Sequence, residues 1–199
     1  MRKRLCWSIA ALLGCSTISF AQKDAAFLGA KLGMNIANCT NSDGDPRIGL
    51  NIGVMGQYFV TNQFAIEGVL LYSQQGMKGS GEIGNADASV TLKLDYLTIP
   101  ILAKFYPLTQ GFNVYAGPQF GFAVNKKAKA EINGTSVETK MEDINTFDFG
   151  FAIGVGYDFN FGLLVDLRYN PGVSKILKDV DSDDNGRNSV FTIGVGYKF

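Results

Sequence analysis

Histidine is absent from all 199 residues. That removes the commonest general base and the commonest metal ligand together. Charge excess is absent too: 18 basic residues meet 18 acidic ones, so no basic field attracts nucleic acid. Cysteine is scarce, and two of the three, Cys6 and Cys15, lie in an N-terminal leader. Cys39 alone would remain after processing, which leaves no intramolecular disulfide and favours a buried thiol. Beyond the leader no stretch suits a membrane helix. The longest uncharged run, Phe105 to Asn125, holds Pro107, Gly111, Gly117, Pro118 and Gly121, and it alternates in polarity.

The leader has the parts of a secretory signal. Arg2, Lys3 and Arg4 supply the positive start, and Leu5 to Ile18 is the apolar core. Ser19-Phe20-Ala21 is a small-x-small cleavage site, so residues 1–21 read as a signal peptide and 22–199 as the mature domain. The alternative is Leu12-Leu13-Gly14-Cys15, a lipoprotein-like box with Cys15 as the acylated residue. Cleavage after Ala21 leaves 15 basic against 18 acidic residues, a net charge of −3.

Glycine and phenylalanine are plentiful, at 24 and 15 residues. Their arrangement is clearest at the end of the chain. Phe191, Ile193, Val195, Tyr197 and Phe199 alternate with Thr192, Gly194, Gly196 and Lys198. Period two predicts a strand. A strand on a water-soluble protein would place long charged side chains on its polar face; here that face is mostly glycine. This points to a cramped, wet interior and an apolar face turned into lipid. The ending on Phe199, with Tyr197 two residues before it, resembles the closing strand of bacterial outer-membrane barrels. That resemblance makes Tyr197 and Phe199 a candidate insertion signal for the barrel assembly machinery.

Eight such strands can be drawn: Phe27–Ile36, Ile48–Val60, Phe64–Gln75, Val90–Tyr106, Phe112–Val124, Thr146–Tyr157, Phe161–Asn170 and Ser189–Phe199. Short turns at Thr61–Gln63, Pro107–Gly111 and Asp158–Asn160 alternate with long connections at Asn38–Arg47, Gly76–Ser89, Asn125–Asn145 and Pro171–Asn188. An even strand number with alternating short and long connections predicts an all-β fold, an eight-stranded antiparallel up-and-down transmembrane β-barrel. Closure is required because an open sheet edge in hydrocarbon leaves backbone groups unpaired. Pro100 and Pro118 are expected to break the ladder locally. Tyr58, Phe64, Phe105, Phe112, Tyr157, Phe161, Tyr197 and Phe199 gather at the short-turn ends. Tyr72, Phe122, Phe147, Tyr169 and Phe191 gather at the other ends, giving two interfacial girdles.

Inward-facing charges within the strands are Lys31, Glu67, Lys104, Asp148, Asp166 and Arg168, with Lys198 at the rim. An eight-stranded barrel is just wide enough for side chains to fill it. A set balanced in sign predicts a mutually paired interior network. A selectivity ring would carry one sign.

Gly29-Ala30-Lys31-Leu32-Gly33-Met34-Asn35, Leu70-Leu71-Tyr72-Ser73-Gln74-Gln75-Gly76, Leu94-Asp95-Tyr96-Leu97-Thr98-Ile99-Pro100 and Arg168-Tyr169-Asn170 occur in that order. Together they resemble the PorT-type outer-membrane β-barrel family of Bacteroidetes over essentially the whole mature chain. The resemblance implies the eight-stranded barrel and the outer membrane, and includes Ile-Pro at Ile99-Pro100. One member of that family is associated with a secretion apparatus; the resemblance supplies no catalytic residues.

The expected function is therefore a non-enzymatic outer-membrane barrel, structural or interacting through its long loops. The alternative is a small pore for small solutes. A lipid hydrolase would need a base beside a serine, and Ser73 has only Glu67 and Lys104 as conceivable helpers. No cofactor is expected. Asp181, Asp183 and Asn185, with Gly186, match the start of a calcium loop, but Thr192 stands where the bidentate glutamate belongs. They form a weak calcium candidate against the simpler reading of a solvated acidic loop. Lys126, Lys127 and Lys129 could touch lipid phosphates, although Glu131, Glu138 and Glu142 lie close by in sequence. The expected partners are outer-membrane lipid, lipopolysaccharide and a protein at the loops.

Overall fold

In the computed structural model, residues 26–40, 44–83, 86–108, 111–132, 135–176 and 186–199 are described. The leader, with Cys15 and the Ala21 cleavage site, lies outside them, and so do Asp181, Asp183 and Asn185. The strands are β1 (Ala26–Cys39), β2 (Asp45–Phe59), β3 (Phe64–Ile83), β4 (Ala86–Phe105), β5 (Phe112–Ile132), β6 (Thr135–Lys140), β7 (Phe147–Asp158), β8 (Leu163–Pro171) and β9 (Asn188–Lys198). All pairings are antiparallel. The order β4-β3-β2-β1-β9-β8-β7-β5 closes through a β4–β5 ladder into an eight-stranded barrel. The ninth strand, β6, pairs only with the far end of β5 and is not part of the wall.

Alternation sets the two faces. Leu28, Leu32, Met34, Leu50, Ile52, Val54, Ile66, Leu70, Ile153, Val155, Leu167, Ile193 and Val195 are exposed on the outside. A soluble protein rarely leaves so continuous an apolar belt bare; in a membrane this is the lipid face. Tyr58, Phe64, Phe112, Phe161, Tyr197 and Phe199 stay exposed at the short-turn end, and Phe122, Phe147, Tyr169 and Phe191 near the other. The Phe64 ring packs tilted against Phe105 at 4.8 Å and Phe122 against Phe147 at 5.5 Å, so neighbouring strands build the girdles pairwise.

The prolines act as expected. The β3–β4 ladder skips from Gly68↔Ile101 to Leu71↔Thr98, around Pro100. The β4–β5 ladder skips from Pro100↔Gln119 to Ala103↔Ala116, around Pro118. A further register shift between Asp95 and Tyr96 leaves Val124 as the extra residue of a bulge.

Two connections differ from the sequence reading. Gly76–Ser89 and Asn125–Asn145 were expected as loops. Instead β3 and β4 stay paired from Gly76↔Lys93 up to Ile83↔Ala86, and β5 turns back through β6. The result is a four-stranded arm, β3-β4-β5-β6, standing above one side of the barrel. Polar, glycine-rich composition suggested loops because both arm faces lie outside the lipid. There the apolar signal of a membrane strand is lost, while backbone pairing continues.

Candidate functional site

The interior is filled at two levels. The lower level, towards the short turns, is ionic. Lys31 Nζ donates to Glu67 Oε1 at 3.0 Å and lies 3.3 Å from Asp166 Oδ1. Lys104 Nζ donates to Glu67 Oε2 at 3.1 Å and sits 3.6 Å from Asp158 Oδ2. Lys198 Nζ meets the same Asp158 oxygen at 2.6 Å. Charges thus alternate along one chain: Asp166, Lys31, Glu67, Lys104, Asp158, Lys198. It starts on β8, crosses β1, β3 and β4, and ends at the rim with Asp158 of β7 and Lys198 of β9. Three cations meet three carboxylates, and Glu67 at the centre is completely buried.

Tyrosines tie this chain to the wall. Tyr106 donates to Asp158 Oδ2 at 2.6 Å and accepts from Gln57 Nε2 at 2.9 Å. Tyr115 donates to Asp166 Oδ2 at 3.0 Å. Lys104 Nζ lies 5.8 Å and 5.9 Å from the Tyr106 and Tyr115 ring centres, within cation–π range. Two inward glycines make room. A Cβ at Gly154 would collide with the Tyr115 phenol, and one at Gly194 with the Asp166 carboxylate. Around the ion chain pack Met55, Val69, Leu71, Leu102, Ala152 and Leu164, all buried.

A polar belt lies above. Asn35 accepts from Asn51 and Thr192 and donates to Ser73 at 2.9 Å, while Asn170 donates to Gln119 at 2.7 Å. The upper level is apolar. Cys39, Leu94, Tyr96, Ile144 and Ile176 form a buried cluster with Met77, Leu92, Ala123 and Met141 against it. Ile144 and Ile176 come from connections, not from strands. Their segments are joined by Asn145 N to Ile176 O at 2.8 Å and Asn145 Nδ2 to Lys175 O at 2.9 Å. Val173 and Ser174 both donate their amides to Phe149 O. The two long connections therefore fold inwards and cap the outer mouth.

Of the six interior charges expected from sequence, Lys31, Glu67, Lys104 and Asp166 come together. Asp148 and Arg168 do not join them. Asp148 lies higher, beside Tyr96, Cys39 and Asn188, with no ion-pair partner among the described residues. Arg168 is buried, and its Nε and Nη1 find no acceptor among the described residues. Lys198, expected at the rim, closes the ion chain. Asp158, expected only as part of a turn, holds two lysines. Tyr197 and Phe199 project outwards at the end of β9, and the Phe199 amide donates to Leu28 O at 2.8 Å. Cys39 is a buried free thiol within the cap.

Sequence reading missed the apolar part of the interior. Val69, Leu71, Leu102 and Leu164 stand in runs such as Val69-Leu70-Leu71 and Leu163-Leu164-Val165, where both faces are apolar and alternation gives no sidedness. Asp158 was detectable: it follows Tyr157 of the lipid face by one residue, so period two turns it inwards.

On the arm, Lys93 and Lys127 both reach Glu138, at 2.6 and 3.4 Å, and Lys129 reaches Glu131 at 2.7 Å. The hydrogen bonds from Lys93 and then Lys127 hold the Glu138 carboxyl below its ordinary range. No group of three or more metal-ligating side chains occurs among the described residues.

No curated protein matches the chain. Among solved structures, Ail of Yersinia pestis is similar at 18% identity, over 87% of this chain and 97% of its own, with a TM-score of 0.46. Neisserial surface protein A is similar at 14% identity, over 87% and 97%, with a TM-score of 0.47. OprG of Pseudomonas aeruginosa is similar at 15% identity, over 88% and 96%, with a TM-score of 0.44. Residues 20–178, most of the chain, match the family described as outer membrane protein beta-barrel domain. With its closed antiparallel wall and lipid-facing belt, the chain belongs to the outer membrane protein beta-barrel domain family.

Proposed function

We propose that this chain is a plugged, non-enzymatic outer-membrane barrel whose work is done outside the membrane, by its arm and its capped loops. The observation that carries the reading is the double filling of the interior. A solute would have to break the Asp166–Lys31–Glu67–Lys104–Asp158–Lys198 chain and also displace the Ile144 and Ile176 cap. Buried ion pairs of this kind resist separation because each freed charge would stand alone in a low dielectric. Refolded protein in a planar bilayer should be electrically silent, with heat-modifiable gel mobility as the folding control. Cross-linking on intact cells should then capture partners at the loops. Discrete, reproducible conductance steps would overturn the reading.

One observation favours a second reading, a narrow passage for small solutes. Arg168 Nε and Nη1 and Asn51 Oδ1, between the two fillings, lack partners among the described residues, as groups facing a thread of water would.

Further parts of this proposal rest on sequence. The four segments quoted above support PorT-type membership and a Bacteroidetes source. The leader supports export with cleavage after Ala21. The exposed Tyr197 and Phe199 at the end of β9 suit recognition by the barrel assembly machinery. Calcium at Asp181, Asp183 and Asn185 would be a loop property, tested by whether chelation changes loop proteolysis.

A further inference from the structure

The arm has two unlike faces, and the register fixes which is which. On one face Met77, Leu92 and Leu94 continue the barrel interior and pack at the cap. The other face continues the lipid-facing wall upwards. Its rows can be read from the ladders. Tyr72, Leu97, Phe122 and Phe147 stand side by side across β3, β4, β5 and β7, forming part of the upper girdle. The next row on β3, β4 and β5 is Gln74, Asp95 and Asn125, with Tyr72 Oη and Asn125 Nδ2 both donating to Asp95 Oδ2. Above it, Lys93, Lys127 and Lys140 stand directly abreast on β4, β5 and β6. The row after that is Asp45, Lys78, Thr91, Lys129 and Glu138.

Three lysines abreast on adjacent strands, about 5 Å apart from strand to strand, repel one another and weaken the sheet. Glu138 answers two of them, Lys93 and Lys127. Lys140 and Lys78 are exposed and make no ion pair among the described residues. Across the two rows and Glu131, five lysines face three carboxylates, those of Glu131, Glu138 and Asp45. Height decides what could neutralise the surplus. Lys93 is four residues beyond Leu97, about 13 Å along the strand. Aromatic girdles mark the headgroup level, so the lysines lie just outside it, on the side that faces surrounding lipid.

We propose that this lysine ladder is a binding site for the phosphate groups of the outer-leaflet glycolipid. The site rests on the outer-membrane placement but not on the plugged interior. A conducting barrel would sink the plugged reading and leave this one standing.

The test is binding of fluorescent, bisphosphorylated lipid A to the refolded full mature chain in neutral detergent micelles. The K93Q/K127Q/K140Q variant should bind on the order of ten-fold more weakly, since each lysine near an anionic surface contributes a few-fold and Glu138 already offsets part of it. E131Q/E138Q should bind more tightly. Lys126→Gln, on the same strand but the opposite face, should bind as the parent does. Dephosphorylated lipid A should bind the parent as weakly as the triple variant binds the phosphorylated form. The difference between the two lipids on the parent alone decides the matter even if the triple variant fails to fold. Equal binding of phosphorylated and dephosphorylated lipid A would overturn the proposal. So would a folded triple variant with parental affinity. Competition by inorganic polyphosphate as effective as that by lipid A would show a general anion surface and overturn the assignment to lipid.

Discussion

The lower and upper halves of the barrel interior close the same tube by different physics. Below, closure is ionic and built wholly on strands: every member of the Asp166-to-Lys198 chain is fixed by wall register. Above, closure is apolar, and Ile144 and Ile176 reach it from connections tied together by backbone hydrogen bonds. The lower filling cannot leave without unfolding the barrel. The upper one can lift if its loops move. Barrels of this kind keep their short turns on the periplasmic side and their long loops outside, so the rigid closure lies at the periplasmic end and the adjustable one at the outer end.

The largest expected effect lies below. Glu67→Ala removes the anion that Lys31 and Lys104 share and leaves them only their longer contacts to Asp166 and Asp158; breaking a buried pair in this way costs about 3–5 kcal/mol. Urea unfolding in lipid vesicles, followed by gel mobility, should register it. Glu67→Gln keeps the shape but still leaves two lysines without their shared anion, so it should recover only a small part of the loss. If either variant is as stable as the parent, the ion chain is not holding the lower half together.

Next comes the cap. Ile144→Ala removes buried apolar volume, for which costs of about 2–5 kcal/mol are usual at well-packed sites. The value should fall near the lower end, because a loop can settle into the gap. The sharper readout is chemical. Cys39 is buried in this cap, so a membrane-impermeant maleimide applied to intact cells should label the parent slowly and the Ile144→Ala/Ile176→Ala variant quickly. Equal labelling would mean that the connections do not close the mouth.

A smaller effect is expected at the rim. Lys198→Met leaves Asp158 with Lys104 and the Tyr106 hydroxyl, so the loss should be about 1.5 kcal/mol, the low end for a hydrogen bond between charged groups. A loss as large as that from Glu67→Ala would mean that the ion chain is anchored at its end and not at its centre.

This comparison also explains how much could be read from the sequence. The wall and its lipid face were legible because alternation in Phe191-Thr192-Ile193-Gly194-Val195-Gly196-Tyr197 is a purely local signal. Lys31, Glu67, Lys104 and Asp166 were legible as inward residues for the same reason. Which of them meet depends on the stagger between strands, which no local pattern records. Arg168 stays out of the ion chain although it lies only two residues from Asp166. Ile144 and Ile176 were not legible at all. They sit in polar connections, and their burial follows from loops folding back over the mouth. The arm escaped because Lys127, Lys129, Glu131 and Glu138 read as a charged loop until their pairing across β5 and β6 is seen.

The most direct test of the account is single-channel recording on a set of variants, because two fillings in series make a particular prediction. The parent, the lower-level variant Glu67→Gln/Lys104→Gln and the cap variant Ile144→Ala/Ile176→Ala should each leave the bilayer silent, since one filling remains. Only the combined variant, still heat-modifiable and therefore folded, should give discrete steps. Steps from the parent protein would contradict the account outright. Steps from either single-level variant would show that the other level does not seal the barrel.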